Sequence, residues 1–582
     1  MRAYLLCVCL IVSACTGPAD NAVDASRHAA ASEVWTRGAM ISAANPHAVR
    51  AAADILAKGG HAVDAAIAAH AVLGLVEPQS SGLGGSAFML VYERASDSLV
   101  VYDGRETAPA GATTDMFMRD GEALGFRDTW QMGISIGVPG TVALYQVAHD
   151  THGKLPWADN FETAIALAAN GFEVSPRMHN WLARLHAAVN LDHSPAMAEY
   201  LYPGGEPLPV GFMRQNAGYA NTLKRIAMEG GAAFYSGPIA ESIVARVREL
   251  PDPGSMSGVD MANYNVKTRD AVCGAFRADT ICSVPPPSSG VAHIMIAGLY
   301  NELSQDANAS QADKVRFFVD AQRLAYADRD QFVADPDFVN VPVDALIDPK
   351  YIAHRATERF APAASPTPGD PAAVLGQDAA AWKRGADTTR ETAGTSHVSI
   401  IDIYGNAVSM TASVGAPFGS LRMTGGFLLN NQMSDFARNP TENGHTAANA
   451  VAPGKRPRSS MSPAMIFDEN DDLLMVTGSP GGNSIIAYTT KSILAVLDWG
   501  FTAQAAADFP NVIARGESVR VESSIEPGAE IAADLVRRGY NVQERAGENS
   551  GLHIIVVHPD RLEGAADHRR EGTVQATGAV TQ

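Results

Sequence analysis

The sequence predicts a mixed α and β protein in which helices and antiparallel hairpins share a large core. Hydrophobic residues make up 46% of the chain and charged residues 18%, a balance that buries a core rather than leaving the chain unfolded. Residues 44–56 and 62–75 have helical character, and residues 140–335 are mostly helical. From Thr395 onward the pattern changes to short alternating runs separated by turns. A chain of 582 residues has room for several domains or for one large α/β domain.

At the N-terminus, Arg2 precedes an apolar run over residues 3–12, shorter than the ~20 residues a membrane-spanning helix needs. Val12-Ser13-Ala14-Cys15 looks like a bacterial lipobox, in which Cys15 carries the lipid. The other reading is an ordinary cleaved signal with an incidental cysteine. Residues 1–15 are therefore expected to be a lipoprotein signal peptide, and residues 16–35, small and polar, a tether. The expected location is exported and periplasmic, held to a bacterial membrane by lipid alone. Cys7 and Cys9 leave with the signal, while Cys273 and Cys282 flank a hairpin turn. An oxidising compartment permits a disulfide between them, and two reduced core thiols fit equally. The net charge of −19 argues against nucleic acid, whose partners need clustered positive charge.

Pro46 suits the start of the first helix, and the second is small and apolar around most of its circumference, so it should be buried. Gly82-Leu83-Gly84-Gly85-Ser86-Ala87 carries the spacing of a dinucleotide fingerprint. That motif follows a strand and opens a helix, whereas here it precedes a strand over residues 88–92, so nucleotide binding is rejected. Residues 360–389, rich in Pro and Ala, read as a mobile exposed loop. Gly394-Thr395-Ser396-His397-Val398 then opens a hairpin with a Tyr404-Gly405-Asn406 turn and a second strand over residues 407–413. Further strands are expected at 461–467, 473–477 and 553–558, and a helix at 484–497 after the Gly478-Ser479-Pro480-Gly481-Gly482 loop.

A backbone break before Thr395 gives that residue a free α-amine beside its hydroxyl, so nucleophile and base belong to one residue. Gly481 and Gly482 lack side chains, so their amides can approach a reacting carbonyl, and the following helix aims its positive end there. Arg105, at a strand end, can fork onto a carboxylate, and Ser459 and Ser460 can donate hydroxyls to it. Asn430-Asn431-Gln432 and Asp435 can hold an ammonium. Taken singly, Arg105 reads as a surface ion pair, the serines as a helix cap, Asp435 as a turn former and His397 as a satisfied strand histidine. Their joint occurrence favours a site. No lysine lies three residues after a serine and no His-Glu-x-x-His occurs.

Stretches such as Gly60-His61-Ala62-Val63-Asp64-Ala65-Ala66, Gly137-Val138-Pro139-Gly140-Thr141, Ala325-Tyr326-Ala327-Asp328-Arg329 and Lys455-Arg456-Pro457-Arg458-Ser459-Ser460 occur in order along the chain. With them, the chain after about Arg37 resembles the γ-glutamyltranspeptidase family of N-terminal-nucleophile hydrolases. The resemblance implies an α+β four-layer αββα sandwich. It implies a precursor that cuts itself between Gly394 and Thr395 into a large subunit, 36–394, and a small subunit, 395–582, interwoven as a heterodimer. Glycine before the cut is expected for its tolerance of a strained backbone. Thr395 is then the nucleophile, Gly481 and Gly482 the oxyanion donors, and Ser413 a supporting hydroxyl. Arg105, Ser459 and Ser460 match positions that bind the glutamyl α-carboxylate, and Gln432 and Asp435 positions that face the α-amine. The substrates implied are glutathione and other γ-glutamyl compounds, with water or an amino acid or peptide as acceptor, and neither cofactor nor metal. Gly415 departs from relatives that carry asparagine there, which brings in a second reading, a glutaryl or cephalosporin-type acylase. Residues 437–448 lack an aromatic gate and suggest a short polar lid over an open pocket. A third reading is a non-catalytic binding lipoprotein on the same scaffold.

Overall fold

Two seven-stranded antiparallel sheets stack face to face. The computed structural model describes residues 34–578 apart from 37, 190, 192–193, 307, 386, 388 and 443, so the expected signal segment and Cys15 lie outside the described residues. The first strands are β1 (Val34–Thr36), β2 (Ala39–Ala43), β3 (Ser86–Glu93) and β4 (Ser98–Gly104). Next come β5 (Lys267–Arg269), β6 (Val272–Phe276), β7 (Asp279–Ser283), β8 (Gly394–Ile401) and β9 (Ala407–Gly415). The last are β10 (Ala464–Phe467), β11 (Leu473–Gly478), β12 (His553–His558), β13 (Arg561–Ala566) and β14 (Thr573–Thr577). One sheet runs β14-β2-β8-β9-β3-β4-β5 and the other β1-β13-β12-β11-β10-β7-β6.

Helices cover both outer faces. On the first sheet lie α1 (Pro46–Ala57), α2 (Ala62–Val76) and α3 (Thr141–His152); on the second lie α4 (Val291–Leu303), α5 (Gln311–Phe332) and α6 (Ile485–Leu497). The expected αββα order is observed. Every residue of α2 is buried, as an all-round apolar helix must be. The two-residue period of β8 and β9 sends Val398, Ile400, Val408 and Met410 toward α2. The opposite faces, between the sheets, carry His397, Ser399 and Ser409, each hydrogen-bonded. Met40, Phe88, Leu90, Met465, Val476 and Ile555 fill the rest of that inner layer.

Two expectations change and one open alternative is decided. The edge strand β1 pairs with β13 from Val34, so the last two residues of the stretch expected to be a tether, Val34 and Trp35, are in a strand. Residues 360–389 are not a free loop: they hold a short helix, Pro371–Leu375, with Pro371 and Ala372 buried. Arg323 and Arg355 reach into this stretch and donate to the carbonyls of Ala361 (2.9 Å) and Thr367 (2.5 Å), which fixes chain that has little apolar pattern of its own. Cys273 and Cys282 face each other across β6 and β7 and form a disulfide, deciding between two readings the sequence left open. Among the described residues no helix is long and apolar enough to cross a membrane.

The glycine loop before β3 explains itself by contact rather than by nucleotide chemistry. A Cβ on Gly85 would stand 2.1 Å from the Ser413 carbonyl oxygen, and one on Gly84 2.2 Å from that of Leu428. Gly85→Ala is expected to destabilise the fold by about 1–3 kcal/mol through overpacking, read as a lower denaturation midpoint at unchanged m-value.

Candidate functional site

The site grows from the register of β8 and β9. Thr395 pairs with Ser413, and a register shift falls between Gly394 and Thr395. The Thr395 hydroxyl donates to Ser413 Oγ (3.2 Å), and Ser413 Oγ in turn donates to the Gly394 carbonyl oxygen (2.6 Å). The Gly415 amide donates to the same Ser413 oxygen at 2.9 Å. Arg570 Nη1 donates to the Thr395 carbonyl at 2.8 Å. Burial and the nearby Arg177 lower the Arg570 guanidinium to about 9. A Cβ on Gly394 would stand 2.5 Å from the Ala416 carbonyl oxygen. Gly394 is absent from the residues with φ above zero, so glycine is required there by crowding, not by the strained backbone expected. His397 bonds Thr411 Oγ1 (2.8 Å) and Ser399 Oγ (3.0 Å), and burial keeps its ring neutral, as a satisfied strand histidine.

A buried charge cluster lies next to this pair. Arg105 Nη2 donates to Asp435 Oδ2 at 2.7 Å, and its Nη1 lies 3.2 Å from Glu106 Oε1. Its remaining donors reach the carbonyls of Pro457 and Arg458. The guanidinium is 1% exposed, so the surface ion pair is excluded. The Gln432 amide, oriented by its hydrogen-bond network, turns its nitrogen to Glu106 Oε2 (3.0 Å), Ser86 Oγ (3.0 Å) and the Ser413 carbonyl (3.1 Å), and its oxygen to Arg105 Nη1. It links the charge cluster to the β8–β9 pair. Burial, with Glu391 and Glu106 nearby, pushes Asp435 up to about 7 against the pull of Arg105.

Residues 391–393 run across the glycine loop. A Cβ on Gly482 would stand 2.7 Å from the Glu391 carbonyl oxygen and 2.8 Å from that of Thr392. Gly482 has φ +59° and Gly481 φ +141°, backbone shapes that exclude ordinary side chains. A 3₁₀ turn, Gly482–Ser484, leads from them into α6. The Glu391 carboxylate accepts from the Ser460 amide (2.5 Å) and from Arg329 Nη2. Arg329 Nη2 also donates to Ser460 Oγ at 2.8 Å. Ser459 stands apart: its hydroxyl accepts from the Met461 amide at 3.1 Å, and its carbonyl accepts from Ser289.

A family model described as gamma-glutamyltranspeptidase matches residues 48–577. The chain belongs to the gamma-glutamyltranspeptidase family. It is 33% identical over 547 residues to a glutathione hydrolase proenzyme of Escherichia coli (strain K12), covering 92% of this chain and 91% of that protein. It is 31% identical to a glutathione hydrolase proenzyme of Bacillus subtilis (strain 168), covering 92% and 90%. An acylase ACY 1 proenzyme of Pseudomonas sp. (strain V22) is 33% identical over 92% of both chains. Among solved structures, a cephalosporin acylase from Bacillus halodurans superimposes with a TM-score of 0.82 at 26% identity, over 98% of this chain and all of that one.

Within this gamma-glutamyltranspeptidase framework, the structure brings Gly394, Thr395 and Ser413 together, joins Gln432, Asp435 and Arg105 to them, and sets Ser460 and Gly482 on residues 391–392. Sequence reasoning missed Glu391, Arg329 and Arg570. Arg329 and Arg570 sit in stretches that match the family, and Glu391 lies just before the expected cut; each becomes visible only through contacts across more than sixty positions. Within residues 437–448, Thr441–Glu442 and His445–Thr446 pair as a small exposed hairpin, while Ala437, Ala447 and Ala448 are buried. Arg105→Ala should leave Glu106 and Asp435 buried without their cation and lower stability by about 3–5 kcal/mol in denaturant titration.

Proposed function

We propose that this chain is a γ-glutamyl hydrolase and transferase that cuts itself between Gly394 and Thr395 and then uses Thr395 as its nucleophile. One observation carries the reading: the Ser413 hydroxyl touches both the Thr395 hydroxyl and the Gly394 carbonyl oxygen, at 3.2 and 2.6 Å. A donor on that oxygen favours negative charge developing there when Thr395 Oγ1 adds to the Gly394 carbon. Collapse breaks the C–N bond, the hydroxyl proton passes to the freed amine, and the ester is hydrolysed by water. The products are a large subunit ending at Gly394 and a small subunit starting at Thr395. In the mature enzyme the α-amine takes the Thr395 proton, the hydroxyl attacks the γ-glutamyl carbonyl, and the Gly481 and Gly482 amides receive the oxyanion; its collapse breaks the amide C–N bond and expels the amine, which takes the proton back from the α-ammonium and leaves the acyl on Thr395. Arg105, Ser459 and Ser460 hold the α-carboxylate, and Gln432 and Asp435 the ammonium. Water or an amine then takes the acyl group. The apolar run after Arg2 and Cys15 support export to the periplasm with a lipid anchor.

The acyl preference has a second reading. Gly415 has φ +95°, and a Cβ there would meet Asn431 Oδ1 at 2.1 Å. That oxygen accepts from the Ala416 amide at 2.7 Å, so Asn431 occupies the space a residue-415 side chain needs. Losing one hydrogen bond to the substrate amine weakens discrimination by about 1–3 kcal/mol, which favours glutaryl acyl groups more than in relatives with asparagine.

Denaturing electrophoresis of the purified protein is expected to show two chains. Thr395→Ala should remain one chain and turn over no γ-glutamyl anilide; two chains or substantial turnover in that variant refute the mechanism. With wild type, kcat/KM should be higher for a γ-glutamyl than for a glutaryl anilide, because Gln432 and Asp435 are retained. The reverse order assigns the protein to the acylases.

A further inference from the structure

Three metal-ligating side chains converge outside the residues proposed for catalysis, where α2, α3 and β3 meet. His61 precedes α2, Glu93 ends β3 and His152 ends α3. His61 Nε2 and His152 Nδ1 lie 3.0 and 2.5 Å from one oxygen, Glu93 Oε1, and the three donor atoms all fall within 4.8 Å of one another. The His61, Glu93 and His152 side chains are 1%, 22% and 8% exposed, so packing rather than solvent holds them together. The contact between His152 and Glu93 is a hydrogen bond. His61 Nε2 stands near the same oxygen but makes no hydrogen bond, a buried nitrogen left over by the fold.

The surroundings suit a cation. His152 Nε2 lies 2.8 Å from the Tyr102 hydroxyl, the kind of outer partner that orients a metal-ligating imidazole. A cavity of about 570 Å³ opens beside the three donors, lined also by Lys154, Tyr404 and Asn406, with room for a water on the ion. The Lys154 ammonium is engaged 3.3 Å over the Tyr404 ring. The carboxylates of Asp64 and Asp402 stand near His61 as well, so negative groups outnumber that lysine. We propose that His61 Nε2, Glu93 Oε1 and His152 Nδ1 bind one zinc-class divalent ion, with water from the cavity as the fourth ligand. Two imidazoles and one carboxylate suit zinc, whereas calcium and magnesium take oxygen donors. Donors about 2.0–2.2 Å from one ion stand roughly 3 Å apart, so only the His152–Glu93 pair must widen. Binding has an opposing term. His61 Nδ1 accepts from the Val63 amide at 3.0 Å and so caps α2. An ion on Nε2 puts the ring proton on Nδ1 and ends that bond, a loss of about tenfold in affinity. The gain is a cross-link of α2, α3 and β3 beside the β8–β9 turn, whose Asp402 accepts from the Ala62 amide. The ion thus steadies the helix on which the Thr395 hairpin packs.

The test is titration of the purified full chain with zinc chloride after chelator treatment, read by calorimetry and by thermal denaturation. One zinc per chain should bind and raise the Tm. Glu93→Gln, which keeps the side-chain size, and His152→Ala should each weaken binding by about a hundredfold or more and abolish the Tm shift, since losing even an outer partner weakens metal binding ten- to a hundredfold. Tyr102→Phe, which removes only that outer partner, should weaken it by about tenfold. His61→Asn keeps an oxygen to cap α2 and removes the nitrogen donor; it should fold as wild type does and lose the zinc. If the three side chains form only a hydrogen-bonded network, wild type and Glu93→Gln take up zinc alike and neither Tm moves, which overturns the proposal. Zinc uptake that survives both His61→Asn and His152→Ala overturns it too, because the ion then sits elsewhere. Calcium chloride that raises the Tm as much as zinc counts against imidazole ligation. These readouts do not depend on turnover, so they stand apart from the function proposed above.

Discussion

Thr395 faces Ser413 because the β8–β9 turn leaves the two strands only one register. Asp402 Oδ1 accepts from the amides of Tyr404 and Asn406, at 2.9 and 3.0 Å, and Gly405 supplies the positive φ the turn needs. Asp402 Oδ2 also accepts from the Ala62 amide at the start of α2. A slip of one residue would turn every side chain of β8 to the other face, moving Val398 and Ile400 out of the helix-side core and Thr395 away from Ser413. The apolar face of the hairpin therefore pins the polar pair: burial of Val398, Ile400, Val408 and Met410 against α2 fixes the positions of the two buried hydroxyls.

The second constraint is electrostatic. Arg105, Glu106, Asp435, Glu391 and Arg329 are all removed from water, and each is tolerable only while its partners are present. Such clusters add little net stability over a hydrophobic core, but they hold their members in place strictly, because any displaced charge is left unsolvated. Glu391 belongs to this cluster although it lies on the segment that precedes Thr395. Between the sheets the solution is different: His397, Ser399, Thr411 and His553 are neutral and pair with one another and with backbone, so that layer stays polar without carrying charge.

Much of this was legible in the sequence. The helical period of residues 44–76, the alternation after Thr395 and the Tyr404-Gly405-Asn406 turn each rest on local chemistry, and the elements formed close to their expected bounds. The glycine pair before α6 was legible for the same reason, since a strand–helix turn with both residues at positive φ admits nothing else. Residues 360–389 were misread as free because what holds them, Arg323 and Arg355, comes from other elements and leaves no mark in the segment itself.

Sequence alone determined the family, the order of helices and strands, and the junction at which a threonine follows a glycine, because these depend on residue identity and on neighbours a few positions away. Only the tertiary structure decided which groups meet: that Gly394 is glycine because Ala416 crowds it, that Gly415 is glycine because Asn431 fills its space, and that Arg105 is held by Glu106 and Asp435 while Arg329 faces Glu391. Those facts arise from atoms brought within van der Waals or hydrogen-bond distance by the stacking of two sheets, a proximity that spacing along the chain does not encode.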